Sequence, residues 1–240
     1  MTLNYCAAVR PLFLGFATLA CMTLLLGESP ATSVHVLSAT LDLATHQVTV
    51  QLLNTTTEKT AVAYTLRIKG VDSAGKEVYD YGIGWDYLSP DPTPATTSRY
   101  ILPGQTVLAE AATSEEVVSV EVSVIGVVYL DRTFEGSASV GIFNVRSRQA
   151  RAARQALAVL KSYPTTPSAT RKAMQTLLAI GSPLVSGVIG NKLHLGAPPD
   201  IEHPVAEHSL PQTRQQWDEI AADLTRSAVF FETQSEGVKQ

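Results

Sequence analysis

A mainly β protein with added α is the fold class the sequence predicts: an N-terminal β-sandwich followed by a C-terminal helical region. Two observations carry this. Upstream of about residue 142, apolar residues alternate with Thr, Ser and charged residues at period two, and downstream Arg, Ala, Gln and Leu recur at helical spacing. An apolar leader precedes both parts. The resulting divisions are residues 1–31 as a signal peptide, 32–141 as the sandwich, 142–231 as a helical region docked on it, and 232–240 as a flexible tail.

In the leader, Pro11 to Leu26 runs almost wholly apolar behind Arg10 and gives way to Gly27 and polar residues. The run is shorter than the roughly twenty residues a membrane span needs. Ser29-Pro30-Ala31 sets small residues at the two positions a signal peptidase inspects. The expected protein is therefore extracytoplasmic, periplasmic or secreted, and begins near Thr32. Cys6 and Cys21 both lie in the leader, so cleavage leaves no thiol, disulfide or cysteine-bound metal. Two alternatives stay open. Thr18-Leu19-Ala20-Cys21 loosely matches a lipidation box, and an uncleaved leader would anchor the chain and be its membrane attachment.

The remaining chain, about 210 residues, is long enough to bury a core without covalent staples. Its net charge of −4, from 18 cations against 22 acids, argues against nucleic acid as a partner and names no other.

Strands follow in order. Leu37, Ala39 and Leu41 alternate with polar residues, as do Val48, Val50 and Leu52, which predicts a half-buried strand pair. Val62, Tyr64, Leu66 and Ile68 form a third strand before Asp72-Ser73-Ala74-Gly75 turns the chain into a short strand at Val78 to Tyr81. Gly82 to Ser98 is proline-bearing and reads as a long connection, because proline cannot donate to a ladder. Strands resume at Arg99 to Leu102 and Thr106 to Ala111. Val118, Val120, Val122 and Val124 are expected in the core, with Ser119, Glu121 and Ser123 facing outward, and a last strand lies near Thr133 to Glu135. Some seven short strands with regular turns fit an immunoglobulin-like or fibronectin-like sandwich.

Ala63-Tyr64-Thr65-Leu66, Asp72 with Gly75-Lys76, Asp86-Tyr87-Leu88, Leu102-Pro103-Gly104, and Val127-Val128-Tyr129 with Asp131, Thr133, Glu135 and Gly136 resemble the ordered landmarks of a group of exported bacterial β-sandwich proteins without an established activity. The likeness covers about residues 34 to 160, since that group also runs from the Glu-Gly pair into an Arg- and Ala-rich helix. Where the group has Asp-Gly-Thr, this chain has Asp131-Arg132-Thr133. Arginine resists the positive φ that glycine accepts, so a different turn is expected there.

In the helical part, Val145, Ala152, Ala153, Ala156, Leu157 and Leu160 mark a buried face opposite Arg148, Arg151, Gln155 and Lys161. Thr166-Pro167 starts a second helix that carries Ala173, Met174, Leu177 and Leu178 and stops at Gly181. Gly181 to Pro211 reads as an irregular connection. Trp217, Ile220, Ala221, Leu224 and Ala228 mark a third helix, whose apolar stripe is expected against the sandwich.

Chemical signatures are few. The chain has no nucleophile elbow, zinc helix, phosphate loop or calcium loop. His194, His203 and His208, with Asp200, Glu202 and Glu207, offer metal-type ligands, but Pro204 breaks the frame that would align them, and a solvated loop is the competing reading. Tyr81, Trp85, Asp86 and Tyr87, beside Tyr79 and Asp80, either form a sugar- or peptide-binding surface or plug one end of the sandwich, with Trp85 buried and Asp86 capping backbone amides. Arg146, Arg148, Arg151 and Arg154 read as a solvated helix face that would alternatively dock an anionic surface. Asn54-Thr55-Thr56 is a glycosylation sequon if the source is eukaryotic. These readings converge on an exported, non-enzymatic binding or structural module of the cell envelope, without a cofactor. The alternative is a metal-binding protein or metal-dependent enzyme using the histidine loop.

Overall fold

The computed structural model describes residues 32–162 and 166–237. The signal-peptide reading of residues 1–31 lies outside these. Residues 34–135 form a two-sheet β region and residues 139–234 a helical region. One sheet has the antiparallel order β1 (Val34–Asp42), β2 (Gln47–Asn54), β5 (Thr106–Ala112). The other has the order β4 (Glu77–Asp86), β3 (Ala61–Val71), β6 (Ser119–Tyr129), β7 (Phe134–Glu135), and its neighbours are antiparallel too.

Period-two patterning decides which faces meet. Val48, Val50 and Leu52 of β2 are buried with Tyr64, Leu66 and Ile68 of β3 and with Val122 and Val124 of β6, so both sheets contribute to one apolar cluster. Residues Ala61 to Tyr64 of β3 are buried consecutively, because this central strand is covered on both faces.

The valine strand departs from the sequence reading at both ends. Val118 precedes β6 and is 41% exposed, while Val120 is only partly buried. A β-bulge lies where Thr65 faces Gly126 and Leu66 faces Val124, which leaves Ile125 as the extra residue. It reverses the parity, so that Val127 and Tyr129 join the inner cluster and Val128 turns to the opposite face. There Val128 and Ala63 meet Ile142 and Phe143 from the first long helix, α2 (Ser139–Ser162), numbered after the short α1 (Pro94–Thr97).

Two glycines make this junction possible. A Cβ on Gly126 would stand 2.7 Å from the Ser139 nitrogen, and one on Gly136, whose φ is +77°, would stand 2.3 Å from the Ile125 carbonyl oxygen. The Ser139 hydroxyl completes the joint: it accepts from the Val127 N–H at 3.1 Å and sits within donating distance of the Val127 and Glu135 carbonyls.

Three connections differ from expectation. β4 continues through Gly82 and Gly84 to Asp86, because glycines on an edge strand interrupt packing but not the ladder, and the prolines begin only at Pro90. Arg99 to Leu102 contributes a single bridge, Ile101 to Ala61, rather than a strand. At the β6–β7 turn, Arg132 adopts φ +68° after all. Asp131 holds this turn by accepting the Thr133 N–H at 2.9 Å and its hydroxyl at 2.7 Å, and the Arg132 guanidinium donates to the Thr233 carbonyl at 3.1 Å.

The helices have a core of their own. Trp217, Ile220 and Leu224 of α5 (Arg214–Gln234) pack with Ala153 and Leu157 of α2, Leu177 of α3 (Pro167–Ala179) and Ile189 of α4 (Pro183–Lys192), not against the sheets as expected. α4 lies inside the stretch expected to be irregular. Its Ser182-Pro183 start repeats the Thr166-Pro167 signal of α3, although neither cap side chain makes its hydrogen bond. α5 runs past residue 232, where a tail was expected, and Glu232 is held by Arg154 through two hydrogen bonds of 2.7 Å. Among the described residues no helix is long and apolar enough to cross a membrane.

Candidate functional site

An ion pair with a buried guanidinium lies at the end of β4. Asp86 is the last residue of that strand, opposite Ala63, and α2 passes over it with Arg146 facing inward. Arg146 Nε donates to Asp86 Oδ2 at 2.8 Å and Nη2 donates to Oδ1 at 2.9 Å, a bidentate fork. Asp86 Oδ1 also accepts the Leu88 N–H at 3.1 Å, so it caps a backbone amide as well. Arg146 is wholly buried, lies over the Phe143 ring, and reaches the Gln234 carbonyl at 3.4 Å. One guanidinium thereby joins β4, α2 and the end of α5.

This corrects the placement of Arg146 on a solvated helix face. The buried stripe of α2 is Ile142, Phe143, Arg146, Ala150, Ala153 and Leu157, whereas Val145, expected inside, is exposed. A cation set in the middle of an apolar stripe, at the phase of its neighbours, was the available signal. A buried arginine needs a carboxylate partner, and Asp86 ends the strand-like aromatic run.

Around the ion pair the aromatics divide. Trp85 packs on Tyr64, ring centroids 5.3 Å apart, and Tyr87 lies 6.1 Å from the same ring with its hydroxyl 3.4 Å from that of Tyr64. Trp85 and Tyr87 are half-buried against the inter-sheet cluster. Burial first, then the Tyr87 hydroxyl, pushes the Tyr64 phenol far above its ordinary pKa. Burial, with the charge of Asp86 adding to it, also raises Tyr100. Tyr81 is 62% exposed and contacts Tyr79 instead, so the four residues singled out from the sequence do not form one surface. Asp80 is bound by Arg67 through two hydrogen bonds, and that guanidinium lowers its pKa.

The histidine loop does not assemble. His203 turns to Asp200, 3.2 Å from Nδ1 to Oδ1, while Glu207 pairs with Arg171. Among the described residues no three His, Cys, Asp or Glu side chains converge as a metal ion would require. Asn54 is not a glycan acceptor in this fold. It is wholly buried, donates to the Lys59 and Ile101 carbonyls at 2.7 and 2.8 Å, and accepts from Thr56.

No family model, curated protein or solved structure matches the chain.

Proposed function

We propose that the chain is an exported, non-enzymatic module of the cell envelope that acts by binding or structural association, with an immunoglobulin-like or fibronectin-like sandwich as its β region. The observation that carries this reading is the Asp86–Arg146 joint. The carboxylate, guanidinium and aromatic rings that would be recruited for chemistry are engaged with one another, and they fix the helical region against the β region. A polar group used in this way belongs to a scaffold. The seven strands among the described residues, divided three and four between two antiparallel sheets, support the sandwich assignment. The apolar leader and the resemblance to exported bacterial β-sandwich proteins support export.

Intact mass of the protein from the extracytoplasmic fraction, together with crosslinking in the native envelope, tests this. The expected results are a chain beginning near Thr32 and crosslinks to a neighbouring envelope component. A cytoplasmic chain retaining Cys6 would overturn export. A stoichiometric metal on untagged protein, lost on His203→Ala, would replace the module reading with the metal-binding one.

A further inference from the structure

A groove of about 1040 Å³ runs between the middle of α2, the turn from α3 into α4 and the end of α5. Its charge is one-sided. α2 has four arginines and one lysine in 24 residues and no acid. Arg146 is engaged by Asp86 and Arg154 by Glu232, but Arg148 and Arg151, both exposed on the groove wall, meet no carboxylate among the described residues. Arg67, Arg171, Arg214 and Arg226 each have an acidic partner, whereas Arg99 and Arg132 have none among the described residues but lie outside the groove, where two unpaired guanidiniums share one wall.

The rest of the lining narrows the ligand. Val145, Ala152, Ile180 and Pro183 give the groove apolar walls. A ligand that suits both features bears carboxylates for the guanidinium forks and apolar side chains for the walls. Inorganic phosphate has no apolar part to meet those walls, and a flat anionic bilayer does not enter a groove between helices. The volume, just above the roughly 300–1,000 Å³ of small-ligand sites, suits a few peptide residues.

We propose that this groove binds an acidic, partly apolar peptide segment of a partner protein, with Arg148 and Arg151 receiving its carboxylates. The inference names a ligand class for the binding role proposed above and rests on that reading.

Selection of a random peptide display library on the purified full chain tests it. Enriched peptides are expected to carry an excess of Asp and Glu together with apolar residues. A fluorescein-labelled enriched peptide should bind the R148A/R151A variant roughly tenfold or more weakly, the loss expected for charge-assisted forks, and should bind R214A unchanged. Matching thermal melts of the variants keep folding out of the comparison, and R148Q/R151Q replaces the alanine pair if that pair melts early. Enriched peptides without acidic excess, or binding indifferent to R148A/R151A, would overturn the assignment. Binding to phosphatidylglycerol vesicles alone would overturn it in favour of lipid. Peptides that bind elsewhere on the chain remove this site and leave the binding role standing, whereas crosslinking that finds no partner removes the role itself.

Discussion

Arg146 is completely buried, and both of its forked N–H groups end on the two carboxylate oxygens of Asp86, a residue 60 positions earlier in the chain. The pair holds α2 to the end of β4, and the geometry leaves the guanidinium no water to fall back on.

Removing one partner should therefore cost more than removing both. Asp86→Ala leaves a buried cation unpaired and is expected to lose about 3–5 kcal/mol, while D86A/R146M exchanges the pair for apolar packing and should lose much less. Urea denaturation of the two variants measures this. Equal losses would show that the cation is not buried in solution.

The β6 register makes a sharper prediction than valine periodicity does. Val122 is 5% exposed, so Val122→Asp should cost several kcal/mol and unfold the β region, because a buried carboxylate without a partner is strongly disfavoured. Val118→Asp should be tolerated within about 0.5 kcal/mol, as for ordinary surface changes. Circular dichroism melts compare them, and a severe effect at Val118 would mean that β6 begins earlier.

Glycines at the β–α junction should resist a methyl group. Gly136→Ala combines a positive φ with a clash on the Ile125 carbonyl, and Gly126→Ala meets the start of α2, so each is expected to lose about 2 kcal/mol or more. At Gly187, inside α4, an added methyl would have nothing within 4 Å, and Gly187→Ala should gain up to about 1 kcal/mol. Opposite shifts in melting temperature are the expected signature, and a stabilising G136A would refute the junction geometry.

Alkaline pH should weaken the fold through buried phenols. Tyr64 and Tyr129 both have pKa values raised by burial, with the Tyr87 hydroxyl adding at Tyr64 and the Glu135 carboxylate adding at Tyr129. A raised folded pKa means that the native state keeps its proton where the unfolded chain loses it. This contribution is complete below the unfolded value of about 10 and is lost as pH climbs toward the folded value. Stability in urea should hold from neutral pH to about 9 and then fall. Tyr64→Phe should flatten that fall by up to about 1.4 kcal/mol per pH unit, and identical slopes in the two proteins would count against the burial of Tyr64.

What the sequence determined by itself is what local periodicity encodes. The alternation in β2 and β3, the Asp72-to-Gly75 turn and the helical spacing of Trp217, Ile220 and Leu224 each require a residue to know only whether its own face is covered, and the in-or-out pattern records that. The Ser182-Pro183 signal of α4 was equally local and was masked by the surrounding Gly and Pro. Tertiary structure alone decided the rest. A bulge reverses the parity of β6 and so sets Val128 on the outer face against α2, and the stripe of α5 packs on the other helices rather than the sheets. Arg146 reads as a surface residue until Asp86 is beside it, because burial of a charge is set by a partner's position in space, and no periodicity along the chain contains that position.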